Sequence, residues 1–131
     1  MSQENVEVVR RFGEAWQRGD VAAALLAREN VEWHDQVAIP GAEVHRGREA
    51  VRRHFELWLD AWKEIGYTVE EVLDPGNCVV VMVRRRGKGA RSGAEVNDRV
   101  TYVYTVSGDR IVRFEAFTDK AEALEAAGLR D

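Results

Sequence analysis

The sequence predicts a single α+β domain, because helical periodicity fills the first half of its 131 residues and strand periodicity fills the second. Helices and strands do not alternate along the chain, which argues against the βαβ pattern of a parallel sheet. A chain of this length can bury a hydrophobic core without disulfides, and its single cysteine, Cys78, allows no internal disulfide. We therefore expect helices packed on an antiparallel sheet, and a cytoplasmic location.

The N-terminal quarter of the chain predicts two helices and a strand. Ser2 is a typical N-cap residue, and the helix after it carries an apolar stripe formed by Val6, Val9, Phe12, Gly13 and Trp16. A short second helix is predicted over Val21–Ala27, after the Gly19-Asp20 stop and cap. A strand over Val31–Asp35 follows and leads into a loop.

The centre of the chain predicts the longest amphipathic helix, over residues 47–63. At helical spacing, His54 and Leu59 fall at the two borders of its apolar face. The centre of that face is formed by Val51, Phe55, Trp58 and Trp62.

The second half predicts four strands and a final helix. The final helix follows Asp119, a capping residue, and ends at Gly128. The strands are predicted over Tyr67–Leu73, Cys78–Arg86, Glu95–Val106 and Arg110–Phe117. The second of these strands is apolar on both faces, so one face needs a cover from outside the core. A second subunit is the simplest cover, and we expect a homodimer through the outer face of the sheet.

Charge and motifs exclude several classes of function. A net charge of -4 and a pI near 5.5 argue against a general nucleic-acid binder. The longest apolar run, Cys78–Val83, is far too short to span a membrane, and residues 1–5 lack the features of a signal peptide. No histidine or cysteine pair has the spacing of metal ligands, so we expect neither metal nor cofactor.

Several short segments resemble one known superfamily in their order and spacing. They are Phe12 and Trp16, Gly19-Asp20, Val31-Glu32-Trp33, His45-Arg46-Gly47-Arg48-Glu49, Gly108-Asp109-Arg110-Ile111-Val112 and Thr118-Asp119. Together they resemble the SnoaL-like branch of the nuclear transport factor 2-like superfamily, which is related to polyketide cyclases and ketosteroid isomerase. The resemblance implies a cystatin-like cone, with a curved sheet wrapped around helices, a pocket and usually a dimer. It implies no single activity, since the superfamily includes isomerases, cyclases, dehydratases, epoxide hydrolases and binding domains.

The match to ketosteroid isomerase excludes that enzyme's mechanism. The mechanism needs a carboxylate base, a tyrosine and a neutral carboxylic acid. The match puts Trp33 at the base, Phe12 at the tyrosine and Val100 at the acid, so all three groups are missing. The same match implies a set of cavity-facing residues: Val100, Tyr102, Tyr104, Arg113, Glu115 and Phe117.

Asp35 is the first candidate for a catalytic base. It shares a strand face with Trp33, two residues away. A carboxylate beside an indole in a partly dry pocket has a raised pKa, which suits a base. A strand-end residue in water is the alternative, and it stays open.

Arg113 and Glu115 are the second candidate pair, two residues apart on the last strand. An unpaired buried charge costs several kcal/mol, so an inward orientation implies a polar pocket floor. There the two would pair with each other, with Asp35 or with His54. In the alternative orientation the inward residues are Val112, Phe114 and Ala116.

His54 and Tyr102 are candidates for proton partners. An imidazole can act as acid or base near neutral pH, and a tyrosine hydroxyl can donate to a substrate oxygen. A structural histidine and a packed tyrosine are the alternatives. The walls of an apolar pocket are predicted to come from Phe12, Trp16, Trp33, Trp58, Val100, Tyr104 and Phe117.

These residues favour a small-molecule enzyme that uses cofactor-free acid/base chemistry on a flat, apolar or aromatic substrate. The reaction would be isomerisation, cyclisation, dehydration or hydrolysis. Asp35 or Glu115 would be the base and Arg113 an anion stabiliser. Two alternatives stay open: a non-catalytic domain that binds a small ligand or dimerises, and a scaffold whose interior is filled by aromatic side chains.

Overall fold

The computed structural model describes residues 2–20, 27–34, 44–76, 78–89, 93 and 95–128. Within these residues it contains helices α1 (Ser2–Gln17), α2 (Arg48–Ala61) and α3 (Lys120–Ala126). The strands are β1 (Ala27–His34), β2 (Val44–Arg46), β3 (Trp62–Leu73), β4 (Val79–Gly89), β5 (Glu95–Ser107) and β6 (Arg110–Phe117). The predicted helix over Val21–Ala27 lies outside the described residues, apart from Ala27, which begins β1.

The six strands form one curved, open sheet in the order β2-β1-β6-β5-β4-β3. The strands β3 to β6 form the predicted antiparallel meander. The neighbours β1 and β6 are parallel, which makes the sheet mixed. The α+β class and the curved sheet wrapped around helices are confirmed.

The hairpin of β3 and β4 is longer than predicted. Its pairing extends to Trp62 opposite Gly89. The helix α2 therefore ends at Ala61, and the prediction that Trp62 belongs to its apolar face is wrong. Aromatic residues favour strands, and here the hydrogen-bonded ladder with β4 outweighs the helical spacing.

The segment Gly47-Arg48 fixes the start of α2 on β1. The amide of Gly47 donates to the carbonyl of Val31 at 2.7 Å, and its φ of 92° favours glycine. A Cβ at this position would lie 3.3 Å from the carbonyl oxygen of Glu29. The Arg48 guanidinium donates twice to the carbonyl of Ala27, at 3.0 and 2.9 Å. These contacts hold α2 across the concave side of the sheet.

Both faces of the sheet are covered by helices of the same chain. The inner face packs on α1 and α2, where residues such as Phe12 and Val51 are buried. The outer face packs on α3, whose Ala123 lies in a second cluster with Val80 and Met82. Those two residues are only 0% and 7% exposed. The expectation that this face of β4 needs a cover from a second subunit is therefore wrong, because α3 of the same chain supplies the cover. The homodimer stays a prediction.

The last strand presents the opposite face to the one predicted. Thr105 pairs with Arg113, but the next residue, Val106, pairs with Ile111, so a bulge at Val112 interrupts the alternation. Residues that are paired across strands lie on the same face. Phe114 and Ala116 lie opposite Tyr104 and Tyr102 and point inward. The match to ketosteroid isomerase implied that Arg113, Glu115 and Phe117 face the cavity, and this prediction is wrong, because after the bulge these three side chains lie on the outer face.

Of the helices in the described part of the chain, none has both the length and the apolar composition needed to cross a membrane.

Candidate functional site

A cavity of about 420 Å³ lies between α1 and the concave face of the sheet. Its walls are almost entirely apolar and include Val9 and Phe12 of α1, Val81 and Val83 of β4, and rings from four further strands. Among the described lining residues the charged ones are Arg10 and Glu14, which bond to each other at 2.6 Å on the exposed side of α1. Among the described residues, charged side chains therefore line this cavity only at its mouth.

Gly13 lies at the centre of the α1 face that lines this cavity. Val9 and Gln17, one helical turn to either side, line it as well. A Cβ added at Gly13 would meet no atom from another part of the fold within 4 Å. The missing side chain of this glycine therefore contributes to the open volume.

A column of stacked rings fills the other part of the interior. Phe55 stacks on Trp16 at 3.8 Å, and Trp33 stacks on Phe114 at 3.7 Å, both measured between ring centroids. Trp16 and Trp33 are nearly parallel, with centroids 5.4 Å apart and an interplanar angle of 14°. The interior is therefore partly filled by aromatic side chains and partly open. The predicted apolar pocket and the alternative of an interior filled by aromatic rings each describe one part of it.

A second, smaller cavity of about 30 Å³ adjoins the large one. Five residues line both cavities: Trp16, Trp33, Tyr67, Tyr102 and Phe114. The small cavity is also lined by His54, Trp58 and Arg85, so the polar groups of the interior are concentrated here.

The Tyr67 hydroxyl is the hydrogen-bond centre of this polar end. It accepts the indole N–H of Trp16 at 3.2 Å and that of Trp58 at 2.8 Å. Buried indoles usually find an acceptor, and this arrangement satisfies two of them with one oxygen. It also holds α1, α2 and β3 together at a single point.

The guanidinium of Arg85 supplies positive charge beside this centre. It donates to both carboxylate oxygens of Asp98, at 3.0 and 2.9 Å, and lies 5.8 Å from the ring centroid of Trp58. Burial is the largest single influence on the pKa of Arg85 and acts to lower it, but the bond to Asp98 together with the charges of Tyr102, Asp98 and Tyr67 outweighs burial, and the pKa is raised. The same bond lowers the pKa of Asp98. Both groups are therefore charged at neutral pH.

Tyr104 lies deeper in the same wall. Burial raises the pKa of its hydroxyl well above the ordinary value, and the neighbouring Tyr102 and Tyr67 add to the rise. Tyr104 therefore stays protonated throughout the physiological range.

The structure brings together only part of the predicted catalytic set. His54 and Tyr102 both line the small cavity. Arg113 and Glu115 pair with each other on the outer face, at 3.4 Å between Nε and Oε1, and do not reach the interior. Asp35 lies outside the described residues.

The predicted apolar wall is only partly reproduced. Four of its members line the large cavity: Phe12, Trp16, Trp33 and Tyr104. Trp58 lines the small cavity instead. Val100 is buried in the inner core but lines neither cavity, and Phe117 packs under α3 on the outer face.

Sequence reasoning missed Tyr67 and Arg85. A signal for Tyr67 was present, since several tryptophans predicted to be inside the fold needed acceptors for their N–H groups. Tyr67 begins the predicted strand that carries Val69, and both side chains line the cavity. In the described residues, no group of three His, Cys, Asp or Glu side chains is placed to hold a metal ion.

Comparison with known proteins gives one family and many similar folds. The family model of the SnoaL-like domain matches residues 9–114, whereas no curated protein matches. An NTF2-like protein from Burkholderia xenovorans LB400 is 27% identical over 97% of each chain, with a TM-score of 0.79. A candidate SnoaL-like polyketide cyclase from Jannaschia sp. CCS1 is 17% identical over 99% of this chain and 95% of that chain, with a TM-score of 0.80. TerC, co-crystallised with polyporic acid, is 16% identical over 93% of this chain and 96% of that chain, with a TM-score of 0.75.

Proposed function

Since the chain belongs to the SnoaL-like domain family, we propose that it binds a flat, largely apolar small molecule in the cavity beneath α1. The observation that carries this proposal is the open volume of about 420 Å³ with walls of valines and aromatic rings. Ligand sites are typically apolar clefts of this size with a few convergent polar groups. The co-crystallisation of TerC with polyporic acid supports a small molecule as the occupant in a related fold.

The apolar walls set the scale of the expected affinity. A two-ring hydrocarbon that buries about 200 Å² gains about 5 kcal/mol at ~25 cal/mol per Å². That free energy corresponds to a dissociation constant on the order of 0.1 mM. Naphthalene is a suitable probe because it is flat, uncharged and offers no hydrogen-bonding group.

Calorimetric titration with naphthalene tests this function. We expect saturable binding of one molecule per chain, a rise in the unfolding temperature, and recovery of the probe unchanged. Absence of both binding and thermal stabilisation at saturating naphthalene would contradict the proposal and favour a scaffold without a ligand.

Cofactor-free proton transfer is a second candidate function, favoured by the position of His54 and Tyr102 at the same small cavity. In this hypothesis the imidazole removes a proton next to a substrate carbonyl while the hydroxyl donates to the carbonyl oxygen. A positioned base typically contributes about 10²–10⁴-fold in rate.

Hydrogen exchange tests the second candidate. We expect the protein to accelerate deuterium incorporation into the methyl group of 2-acetylnaphthalene in D₂O, and His54→Gln to lower the acceleration at least about tenfold. Exchange no faster than in buffer, or exchange unchanged in His54→Gln, would remove this candidate.

A further inference from the structure

The hydroxyl of Tyr104 has no hydrogen-bond partner within the part of the chain that the structure describes. The residue is only 6% exposed. Its ring packs edge-on against the rings of Phe12, Tyr102 and Phe114, at centroid distances of 5.9, 6.2 and 5.1 Å. These contacts hold the ring in place but leave the hydroxyl unsatisfied, whereas buried tyrosine hydroxyls usually find a partner.

The Tyr104 hydroxyl faces open space and not packed core. Among the described residues, one side-chain polar atom is both fully enclosed by protein atoms and without a partner, and it is the indole nitrogen of Trp33. The Tyr104 hydroxyl also lacks a partner, so it is not enclosed in that way. Because Tyr104 lines the cavity of about 420 Å³, its hydroxyl is directed into this volume.

The described walls around this hydroxyl offer no unpaired charge to a ligand. Arg10 and Glu14 are the charged residues of the large cavity, and they bond to each other on the exposed side of α1. The guanidinium of Arg85 lines the small cavity and donates to both carboxylate oxygens of Asp98. A charged group of a ligand beside Tyr104 would therefore be buried without a counter-charge, which is strongly unfavourable.

We propose that Tyr104 is the specificity-determining residue of the large cavity, and that its hydroxyl selects uncharged ligands with a hydroxyl or carbonyl oxygen on an aromatic frame. A tyrosine hydroxyl donates one hydrogen and accepts through its oxygen, so it complements either group. This inference rests on the proposed binding function, and it adds the recognising residue and the chemical class of the ligand. The rings of the ligand lie against the apolar walls beneath α1, and its oxygen lies at Tyr104.

Three probes and two variants of the full-length chain test the proposal by calorimetric titration at neutral pH. The probes share one ring system and are naphthalene, 2-naphthol and the anion 2-naphthoate. With the wild type, we expect 2-naphthoate to bind at least about tenfold more weakly than 2-naphthol, because its charge would be buried unpaired. In Tyr104→Phe we expect 2-naphthol to bind about five- to tenfold more weakly, because one hydrogen bond is lost. Naphthalene should bind this variant within about twofold of the wild type.

Thr101→Val is the matched control. It removes a buried hydroxyl from the same strand but from the outer face, where Thr101 pairs with Phe117, so all three probes should bind it as they bind the wild type. Without a ligand, Tyr104→Phe should unfold at a temperature no lower than that of the wild type, because the hydroxyl that it removes has no partner to lose. A clear fall in the unfolding temperature would show that this hydroxyl is bonded within the fold, and would overturn the proposal.

The ¹³C NMR signal of the Tyr104 Cζ atom, assigned with Tyr104→Phe, reports on the hydroxyl in the wild type. We expect 2-naphthol to shift this signal farther than naphthalene does, since only 2-naphthol bonds to the hydroxyl. Equal shifts, no selective weakening of 2-naphthol in Tyr104→Phe, or binding of 2-naphthoate as tight as that of 2-naphthol would overturn the proposal, while naphthalene binding still supported the apolar site. If naphthalene itself does not bind the wild type, the proposed function and this inference both fail.

Discussion

Substitution of Gly13 tests whether the space beneath α1 is real. Glycine in a helix interior is less favourable than alanine by about 1 kcal/mol. A Cβ at Gly13 would meet no atom from elsewhere in the fold within 4 Å, so nothing offsets this gain. We expect Gly13→Ala to stabilise the protein by about 1 kcal/mol, which raises the unfolding temperature by about 3–5 °C for a domain of this size.

The larger Gly13→Leu substitution places an isobutyl group in the same open volume. Burial of a leucine side chain contributes up to about 1.5–3 kcal/mol, so we expect this variant to be at least as stable as the wild type. The same group occupies the centre of the cavity-lining face of α1, and naphthalene should therefore bind at least about tenfold more weakly, a loss of ~1.4 kcal/mol or more.

The assay is thermal unfolding together with calorimetric titration of the wild type, Gly13→Ala and Gly13→Leu. The alanine variant is the matched control, because it changes helix propensity while adding only one carbon to the cavity. A leucine variant that folds and binds naphthalene like the wild type would show that the ligand does not lie beneath α1. A leucine variant that is strongly destabilised would show that the space is not there.

Three further predictions follow from groups that do not line the large cavity. Glu115→Gln and Arg113→Gln should change naphthalene affinity less than about twofold and stability by no more than about 1 kcal/mol, since the pair is partly exposed on the outer face; a large loss of binding in either would restore their predicted place in the pocket. Cys78 is 4% exposed and burial raises the pKa of its thiol, so iodoacetamide should label it far more slowly in the folded protein than in urea, and equal rates would contradict this. The pKa of Asp98 is lowered from 3.8 by Arg85, so this pair stabilises the fold above pH 3.8 and its contribution is lost as the pH falls through the lower folded-state pKa. The free energy of unfolding, measured in urea across that pH range, should fall more steeply with decreasing pH for the wild type than for Asp98→Asn. The same dependence on pH in both proteins would refute the pairing.

The fold class was predictable because the hydrophobic period changes once, from helical in α1 and α2 to alternating in β3 to β6. Each of these long segments shows its helical or alternating pattern of apolar residues within its own sequence. The start of α2 was visible in the segment Gly47-Arg48, which the structure uses to bind the carbonyls of Val31 and Ala27.

The orientation of β6 was not predictable from alternation. A single bulge at Val112 brings both Ile111 and Phe114 inward, and one extra residue reverses every later side chain. Nothing in the local sequence marks that bulge. The packing of α3 on the outer face was not predicted either. A helix of seven residues has too few positions for its pattern to show where Ala123 will pack.

The candidate site was half predictable. The rings Trp16 and Trp33 could be assigned to the interior from helical and strand spacing. The hydrogen bonds of Tyr67 could not, since they join α1, α2 and β3 and depend on three elements meeting at one oxygen. Contacts of this kind depend on tertiary packing and leave no periodic pattern in the sequence.

The most direct measurement of whether the interior holds an apolar molecule is an NMR titration of the four tryptophan indole N–H signals with naphthalene, assigned by single Trp→Phe substitutions. We expect the ring current of the bound probe to shift the signals of Trp16 and Trp33, with saturation at one molecule per chain. Unmoved signals for these two residues, while calorimetry still reports binding of naphthalene, would place the probe on the surface and contradict an internal binding site.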